Sequence, residues 1–299
     1  MTRQTGFKPA EIAEAQRMSA EEAIRYHYDN DTQFFALWLD PTLSYSCARW
    51  HDPLTEAPVA ATLHDAQLEK LRHHLDAARV GEGTRVLDVG CGWGAILEAA
   101  SRRGAAHALG LTLSEDQLAH IEAAGWPRTE ARLEDAFAFT TEAPFDAAIS
   151  IGAFEHFAKP HMSREEKVAT YRAFFERLAA ALTPGARFSL QTIVWEAVDF
   201  ETSKTTLPEI IFPQSDIPFI EEIVMGSADA FRLIYLENDP KPYQLTLEAW
   251  LENFRAQREP IVAEWGEAKY AFFLDYLRYS RLAFTRRKNS LARMVFVRR

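Results

Sequence analysis

Three glycines at alternate positions stand directly behind an acid in Val86-Leu87-Asp88-Val89-Gly90-Cys91-Gly92-Trp93-Gly94. Spacing this tight lets the backbone turn sharply and lets a ligand lie against main chain, because no Cβ intervenes. Asp88 precedes the turn, where its carboxylate can meet a cation. A ligand that is part nucleoside and part positively charged amino acid would use both features, and S-adenosylmethionine is such a ligand. A dinucleotide is the nearest rival, since Gly90, Gly92 and Ala95 also satisfy the looser glycine pattern. It would need an acid about 20 residues further on, at the end of the next strand, to hold a ribose. The next apolar run, Ala106 to Leu111, ends instead in Thr112-Leu113-Ser114. A tight strand-to-helix turn with no ligand also favours glycine, but it gives the acid no task.

The elements that must position this loop follow from periodicity. From Thr84 to Val194 short apolar runs alternate with helical patterns, as in a parallel sheet wound with helices. The strands are placed at Arg85 to Val89, Ala106 to Leu111, Glu130 to Leu133, Asp146 to Ile151 and Arg187 to Val194. Helices are placed at Ala95 to Ser101, Glu115 to Ala124 and Arg164 to Leu182, the last stopped by Pro184-Gly185. Phe231 to Glu237 and Ala292 to Arg298 read as added edge strands. Residues 1–75 read as a mostly helical segment covering the site, broken at Asp40-Pro41 and looped around Asp52 to Pro58. Residues 76–194 form the α/β core. Residues 195–245, with Pro208, Pro213, Pro218, Pro240 and Pro242, suit a cap insertion rather than an unbroken helix. Residues 246–299 return to aromatic-rich helix and a final strand.

At 299 residues, 47% of them hydrophobic and 25% charged, the composition is that of an ordinary globular protein. No apolar run reaches the length of a membrane span, and Met1 to Gln16 lacks the apolar stretch of a signal peptide, so a cytoplasmic location without stable membrane insertion is expected. Cys47 and Cys91, the only cysteines, lack metal-ligand spacing and are expected to be reduced thiols. A net charge of −10 argues against a nucleic-acid partner. Residues 281–299 depart from that balance, with Arg281, Arg286, Arg287, Lys288, Arg293, Arg298 and Arg299 and no acid. They read first as a solvated basic face, and second as a surface attracted to phosphate or an anionic lipid head.

Further segments fall in a meaningful order: Tyr26-His27-Tyr28-Asp29 with Phe34-Phe35, Tyr45-Ser46-Cys47-Ala48, the glycine loop, Gly110-Leu111-Thr112-Leu113-Ser114, and Ser150-Ile151-Gly152-Ala153-Phe154-Glu155-His156. Phe212-Pro213, then Thr246-Leu247 with Trp250, continue that order. The chain resembles the cyclopropane fatty acid and mycolic acid synthase family over nearly its whole length. The resemblance implies a Rossmann-like class I methyltransferase fold with a mostly parallel seven-stranded sheet. It implies that Tyr28, Tyr45 and Ser46 close over the methyl donor, and that Asp88, Gly90 and Gly92 hold its amino acid end. Thr112, Leu113 and Gln117 would line the ribose, with Asp135 and Ala136 near the adenine. The family's Trp-Glu pair is Ala136-Phe137 here.

In cyclopropane-forming members a bicarbonate ion is held by groups matching Cys47, Glu155, Ile193 and Tyr243 and by a histidine, whose place is taken here by Gln191. Glutamine can hydrogen-bond an anion but cannot carry charge or shuttle a proton. An electron-rich substrate carbon would attack the sulfonium methyl in line and leave a carbocation, steadied by ring faces. Phe35, Trp38, Phe154, Trp195, Phe200, Phe212 and Phe219 are candidates for that wall, with two or three expected to touch substrate. Glu155 is the first choice of base and His156 the second, with Tyr243 orienting the base or the anion and Cys47 a pocket wall. The expected activity is C-methylation of an unsaturated hydrophobic small molecule of prenyl or indole-terpenoid type. Cyclopropanation of lipid acyl chains, N-methylation of an amine and a donor-binding sensor are the alternatives. Mg²⁺ would matter only for a diphosphate substrate, and a homo-oligomer remains open.

Overall fold

The computed structural model describes residues 32–196 and 216–299. In chain order the elements are α1 (Thr32–Ala36), α2 (Leu63–Ala77), β1 (Arg85–Val89), α3 (Ala95–Arg102), β2 (His107–Thr112), α4 (Glu115–Ala124), β3 (Thr129–Leu133) and β4 (Phe145–Ile151). They continue with a 3₁₀ turn (Phe154–His156), α5 (Arg164–Ala181), β5 (Leu182–Trp195), α6 (Ile220–Ser227), β6 (Phe231–Asn238), α7 (Lys241–Ala256), α8 (Arg258–Thr285) and β7 (Asn289–Arg298).

The strands form one seven-stranded sheet in the order β3-β2-β1-β4-β5-β7-β6. All pairs from β3 through β5 are parallel, and β7 runs antiparallel between β5 and β6. The central strands are apolar on both faces, as a sheet covered by helices requires. Val86, Leu87, Val89, Ala147, Ala148 and Ile149 are all buried. The connection order reverses between β1 and β4, and in such sheets the crevice above that switch point receives the ligand. The glycine loop leaves β1 at that place.

Local chemistry fixes the flanking helices. Ser114 caps α4 by accepting from the Gln117 amide, and Ser163 with Glu166 forms a reciprocal capping box on α5. Phe154, Tyr171, Phe174, Phe175, Phe188 and Phe296 fill one side of the sheet. A second, aromatic core joins α1 to α7 and α8 through Phe34, Phe35, Trp38, Trp250, Phe254 and Phe273. Ring pairs such as Phe34–Phe273, 4.7 Å between centroids, each add about 0.5–1.5 kcal/mol beyond area burial.

Three expectations need correction. Ala292 to Arg298 is no edge strand: β7 is enclosed, because β6 pairs with its outer side. Pro184-Gly185 does not end a helix; α5 stops at Ala181, and the pair lies in a bulge where the β4–β5 register jumps from Phe145↔Leu182 to Ala147↔Arg187. Residues 41–51 and 59–62 are irregular rather than helical, whereas the break at Asp40-Pro41 and the loop around Asp52 to Pro58 are present.

Candidate active site

Two cavities meet above the switch point. The first, about 340 Å³, is lined by ten of the predicted donor residues: Tyr45, Ser46, Asp88, Gly90, Gly92, Thr112, Leu113, Gln117, Asp135 and Ala136. The second, about 300 Å³, is lined by all five predicted catalytic residues: Cys47, Glu155, His156, Gln191 and Tyr243. Tyr45, Ser46, Gly152 and His156 line both and form the partition. Tyr28, Phe200 and Phe212 lie outside the described residues.

The glycine loop explains the first cavity. Gly90 holds φ 76°, and a Cβ there would stand 2.4 Å from the Ala153 Cβ, so only glycine lets the β1 and β4 loops approach this closely. Gly92 holds φ 54° with nothing within 4 Å of where its Cβ would be, which leaves bare backbone against the cavity. Beneath it Asp88 is 2% exposed, and burial pushes its carboxyl up to about 7 against the pull of Lys70. At the far end the Thr112 hydroxyl donates to Gln117 Oε1 at 2.7 Å, and Asp135 Oδ1 accepts from the Phe137 amide at 2.9 Å. A concave cradle of open backbone with a buried, incompletely neutralised carboxylate fits the nucleoside and cationic amino acid ends of S-adenosylmethionine.

In the second cavity Glu155 Oε1 accepts from the Ile193 amide at 2.6 Å, whereas Oε2 is buried without a hydrogen-bond partner among the described residues. Burial pushes its carboxyl up to about 7, and the Ile193 hydrogen bond moderates the rise. Burial brings His156 down to about 4, with Lys159 adding to the effect, so the imidazole is neutral. The Cys47 thiol is pushed up to about 12 by burial and donates to the Ala48 carbonyl at 3.3 Å, as suits a wall rather than a nucleophile.

Gln191 is committed on both ends of its amide. Nε2 donates to the Cys47 carbonyl at 3.1 Å, and Oε1 accepts from Arg293 Nε at 2.9 Å. Arg293, 1% exposed, also donates to Glu237 at 2.7 Å and to the Ala48 carbonyl at 3.1 Å. Burial alone would lift the Glu237 carboxyl, but Arg293 and Arg49 beside it hold it below its ordinary value. His74 completes the cluster, 2.8 Å from the Ser189 hydroxyl and kept neutral by burial.

The sequence reading missed Lys70, His74 and Arg293. Lys70, 2% exposed, donates to the Ser46 hydroxyl at 2.9 Å and is brought down to about 8 by burial. Gln67, Lys70 and His74 recur at helical spacing beside Ala66, Leu71 and Leu75, so polar residues on the buried stripe of α2 were the available signal. Arg293, read as part of a solvated face, is instead buried at the β5–β7 pairing. Among the proposed wall residues that are described, Phe35, Trp38 and Phe154 are core, Phe219 precedes α6, and Trp195 lines the cavity. Tyr45, His156, Tyr243, Tyr276, Tyr279 and Phe284 also present rings to it.

Among the described residues no cluster of His, Cys, Asp or Glu could hold a metal ion, and no helix is long and apolar enough to cross a membrane.

The sheet order and the donor cradle define a Rossmann-like class I methyltransferase. The family model for mycolic acid cyclopropane synthetase matches residues 15–294. The chain is 32% identical over 275 residues to cyclopropane mycolic acid synthase 2 of Mycobacterium bovis, covering 86% of this chain and 88% of the relative. The structure of the cyclopropane synthase MmaA2 from Mycobacterium tuberculosis superposes with TM-score 0.81 at 27% identity, covering 94% of this chain and 99% of the other. Mycolic acid cyclopropane synthase CmaA1, complexed with SAH and CTAB, gives 0.78 at 27% identity over 93% and 98%. The chain belongs to the mycolic acid cyclopropane synthetase family and is an enzyme of the S-adenosylmethionine-dependent methyltransferase type.

Proposed function

We propose that the enzyme alkylates a carbon–carbon double bond in the acyl chain of a lipid and closes it to a cyclopropane. The observation that carries this is the pairing of a donor cavity lined by Asp88, Gln117 and Asp135 with a more apolar one across a shared wall, with Glu155 in the second cavity beside the wall residue His156. The relatives named as mycolic acid cyclopropane synthases favour a lipid over the prenyl or indole-linked substrate expected from sequence. Gln191 bears on how the proton leaves, not on which substrate enters.

S-adenosylmethionine would supply an electrophilic methyl, held by Asp88 and the Gly90–Gly92 backbone, with Thr112, Leu113 and Gln117 along the ribose and Asp135 and Ala136 at the base. Tyr45 and Ser46 separate donor from acyl chain and exclude water from the reacting atoms. As the alkene takes the methyl, positive charge moves to the neighbouring carbon, where the faces of Tyr243 and Phe284 and the Glu155 carboxylate stabilise it. The proton lost from the newly attached methyl passes to Glu155 Oε2, and the electron pair of that C–H bond closes the ring.

The groups matching the family's bicarbonate site are largely engaged with one another, which supports a reading without the ion. The Ile193 amide is spent on Glu155, both ends of Gln191 are spent on Cys47 and Arg293, and the Cys47 thiol donates to the neighbouring Ala48 carbonyl. We therefore assign proton removal to Glu155 directly.

The test is product analysis after incubation with methyl-labelled donor and a panel of unsaturated phospholipids, free unsaturated fatty acids, prenyl diphosphates, indole terpenoids and amines. Label in a cyclopropane of an acyl chain is expected. Label confined to nitrogen or to a prenyl or indole carbon overturns the proposal.

A further inference from the structure

The donor cavity carries a cation as well as an anion. Lys70 lines it together with Asp88, and both residues are 2% exposed. Each charge supports the other across the cavity, but the two form no ion pair. A cavity that presents a carboxylate and an ammonium separately favours a zwitterion, which can answer both.

Local structure fixes where the ammonium stands. On α2, Gln67 and Lys70 lie at i and i+3 and share a face. Gln67 Nε2 donates to the Ser44 and Ser46 carbonyls at 3.2 and 2.9 Å, and Lys70 Nζ donates to the Ser46 hydroxyl at 2.9 Å. The helix therefore grips the partition segment by its backbone and by its side chain. Because the Ser46 oxygen accepts from the lysine, its own hydrogen is directed away from the ammonium. Ammonium and hydroxyl are then adjacent donors on one cavity wall, and a carboxylate has the oxygens to accept from both.

The charge of the ligand narrows the choice. A phosphate would suit the two donors but would bring its larger negative charge toward Asp88. The amino acid end of S-adenosylmethionine carries ammonium and carboxylate on the same carbon, so an ammonium on Asp88 leaves the carboxylate at the same end of the cavity. Lys159, the other lysine of this cavity, is half-buried, donates to the His156 carbonyl at 3.4 Å and feels the charge of Asp135, which sets it at the end assigned to the base. We propose that Lys70 and the Ser46 hydroxyl it holds bind the carboxylate of the methyl donor's amino acid end, with Asp88 taking the ammonium. This rests on the reading of the first cavity as the S-adenosylmethionine site, and it makes Lys70 the group that tells the full donor from a decarboxylated one.

The test compares, by calorimetry on the full chain, S-adenosylhomocysteine with its decarboxylated counterpart, the aminopropyl thioether of adenosine, which keeps the ammonium and lacks the carboxylate. In the wild type S-adenosylhomocysteine should bind about tenfold or more tightly, as a charge-assisted hydrogen bond gives. Lys70→Met should bring the two ligands to within about twofold of each other, by weakening S-adenosylhomocysteine while the decarboxylated ligand holds or gains affinity. Lys70→Gln, which removes the charge but can still hydrogen-bond Ser46, should behave alike and stands in if the methionine variant does not fold. Equal affinities in the wild type, or a preference that survives in the Lys70 variants, overturns the carboxylate site while the donor cavity stands. Equal weakening of both ligands by those variants also overturns it, because a lysine that only braced the partition would act on both alike. Lys159→Met should keep the wild-type preference; its loss there would put the carboxylate at the other end of the cavity and overturn the assignment. Failure of the wild type to bind either nucleoside overturns the donor reading and the carboxylate site with it.

Discussion

At Glu155 the two carboxylate oxygens are unequal. Oε1 is fixed by the Ile193 amide, and Oε2 stands buried without a hydrogen-bond partner among the described residues, able to receive a proton. Glu155→Gln keeps the size of the side chain and removes the base. Turnover should fall ~100-fold or more while affinity for S-adenosylhomocysteine changes little. Asp88→Asn should do the reverse first, weakening donor affinity about tenfold or more, as loss of a charge-assisted hydrogen bond does. Calorimetry alongside single-turnover rates separates the two, and equal losses of both quantities in both variants would contradict these roles. Because Glu155 works only ionised and is pushed up to about 7, turnover under saturating donor should rise with pH through about 7. Asp88 is also pushed up to about 7, so donor affinity should weaken as pH falls below that value. A pH–rate profile flat from 6 to 8 would remove Glu155 as the base. Turnover in bicarbonate-depleted buffer should match turnover with bicarbonate added, and restoration by the ion would return it to the mechanism.

The polar cluster at the β5–β7 pairing belongs to the scale of elements. Arg293 ties Gln191 on β5 to Glu237 on β6 and to the irregular segment at Ala48. Arg293→Met leaves buried Glu237 with Arg49 and the Tyr235 hydroxyl but without its second cation, and should cost about 3–5 kcal/mol of unfolding free energy in urea titration. Arg293→Lys keeps the charge but loses the fork, so it should recover only part of that stability. A loss below 1 kcal/mol for the methionine variant would mean that the cluster is replaceable. This cluster also marks where sequence legibility ended. The strands from Arg85 to Ile151 could be placed within a residue or so, because their apolar runs are continuous and bounded by turns. The loop at Asp88, Gly90 and Gly92 was legible because glycine spacing reports backbone shape directly, whereas Tyr45, Ser46, Thr112, Leu113, Gln117, Asp135 and Ala136 were reached only through the family resemblance. Arg293 was not, since alternation along Ala292 to Arg298 records that faces differ and is silent about what covers each face. Lys70 and His74 were hidden similarly, their partners lying far along the chain at Ser46 and Ser189.

For the whole molecule, the decisive arrangement is one sheet with two cavities and four residues shared between them. Donor-side ligands bind only the folded chain. S-adenosylhomocysteine at a hundred times its dissociation constant should therefore add about 2.7 kcal/mol of stability. At the same concentration a tenfold loss of affinity in Asp88→Asn should cut that gain to about 1.4 kcal/mol, with the rise in thermal midpoint roughly halved. No rise in the wild type would mean that the first cavity holds something else.

The wall of the second cavity carries a final consequence, since Gln191, Ile193 and Trp195 all line it from one strand. Inserting a single residue between Gln191 and Trp195 would rotate every later side chain to the opposite face of the sheet. Lengthening or shortening this wall therefore works only in pairs of residues, each pair moving the opening by ~6.6 Å relative to Glu155. With Glu155 fixed on its own turn, the depth available to a substrate along this wall therefore changes in steps and not by degrees.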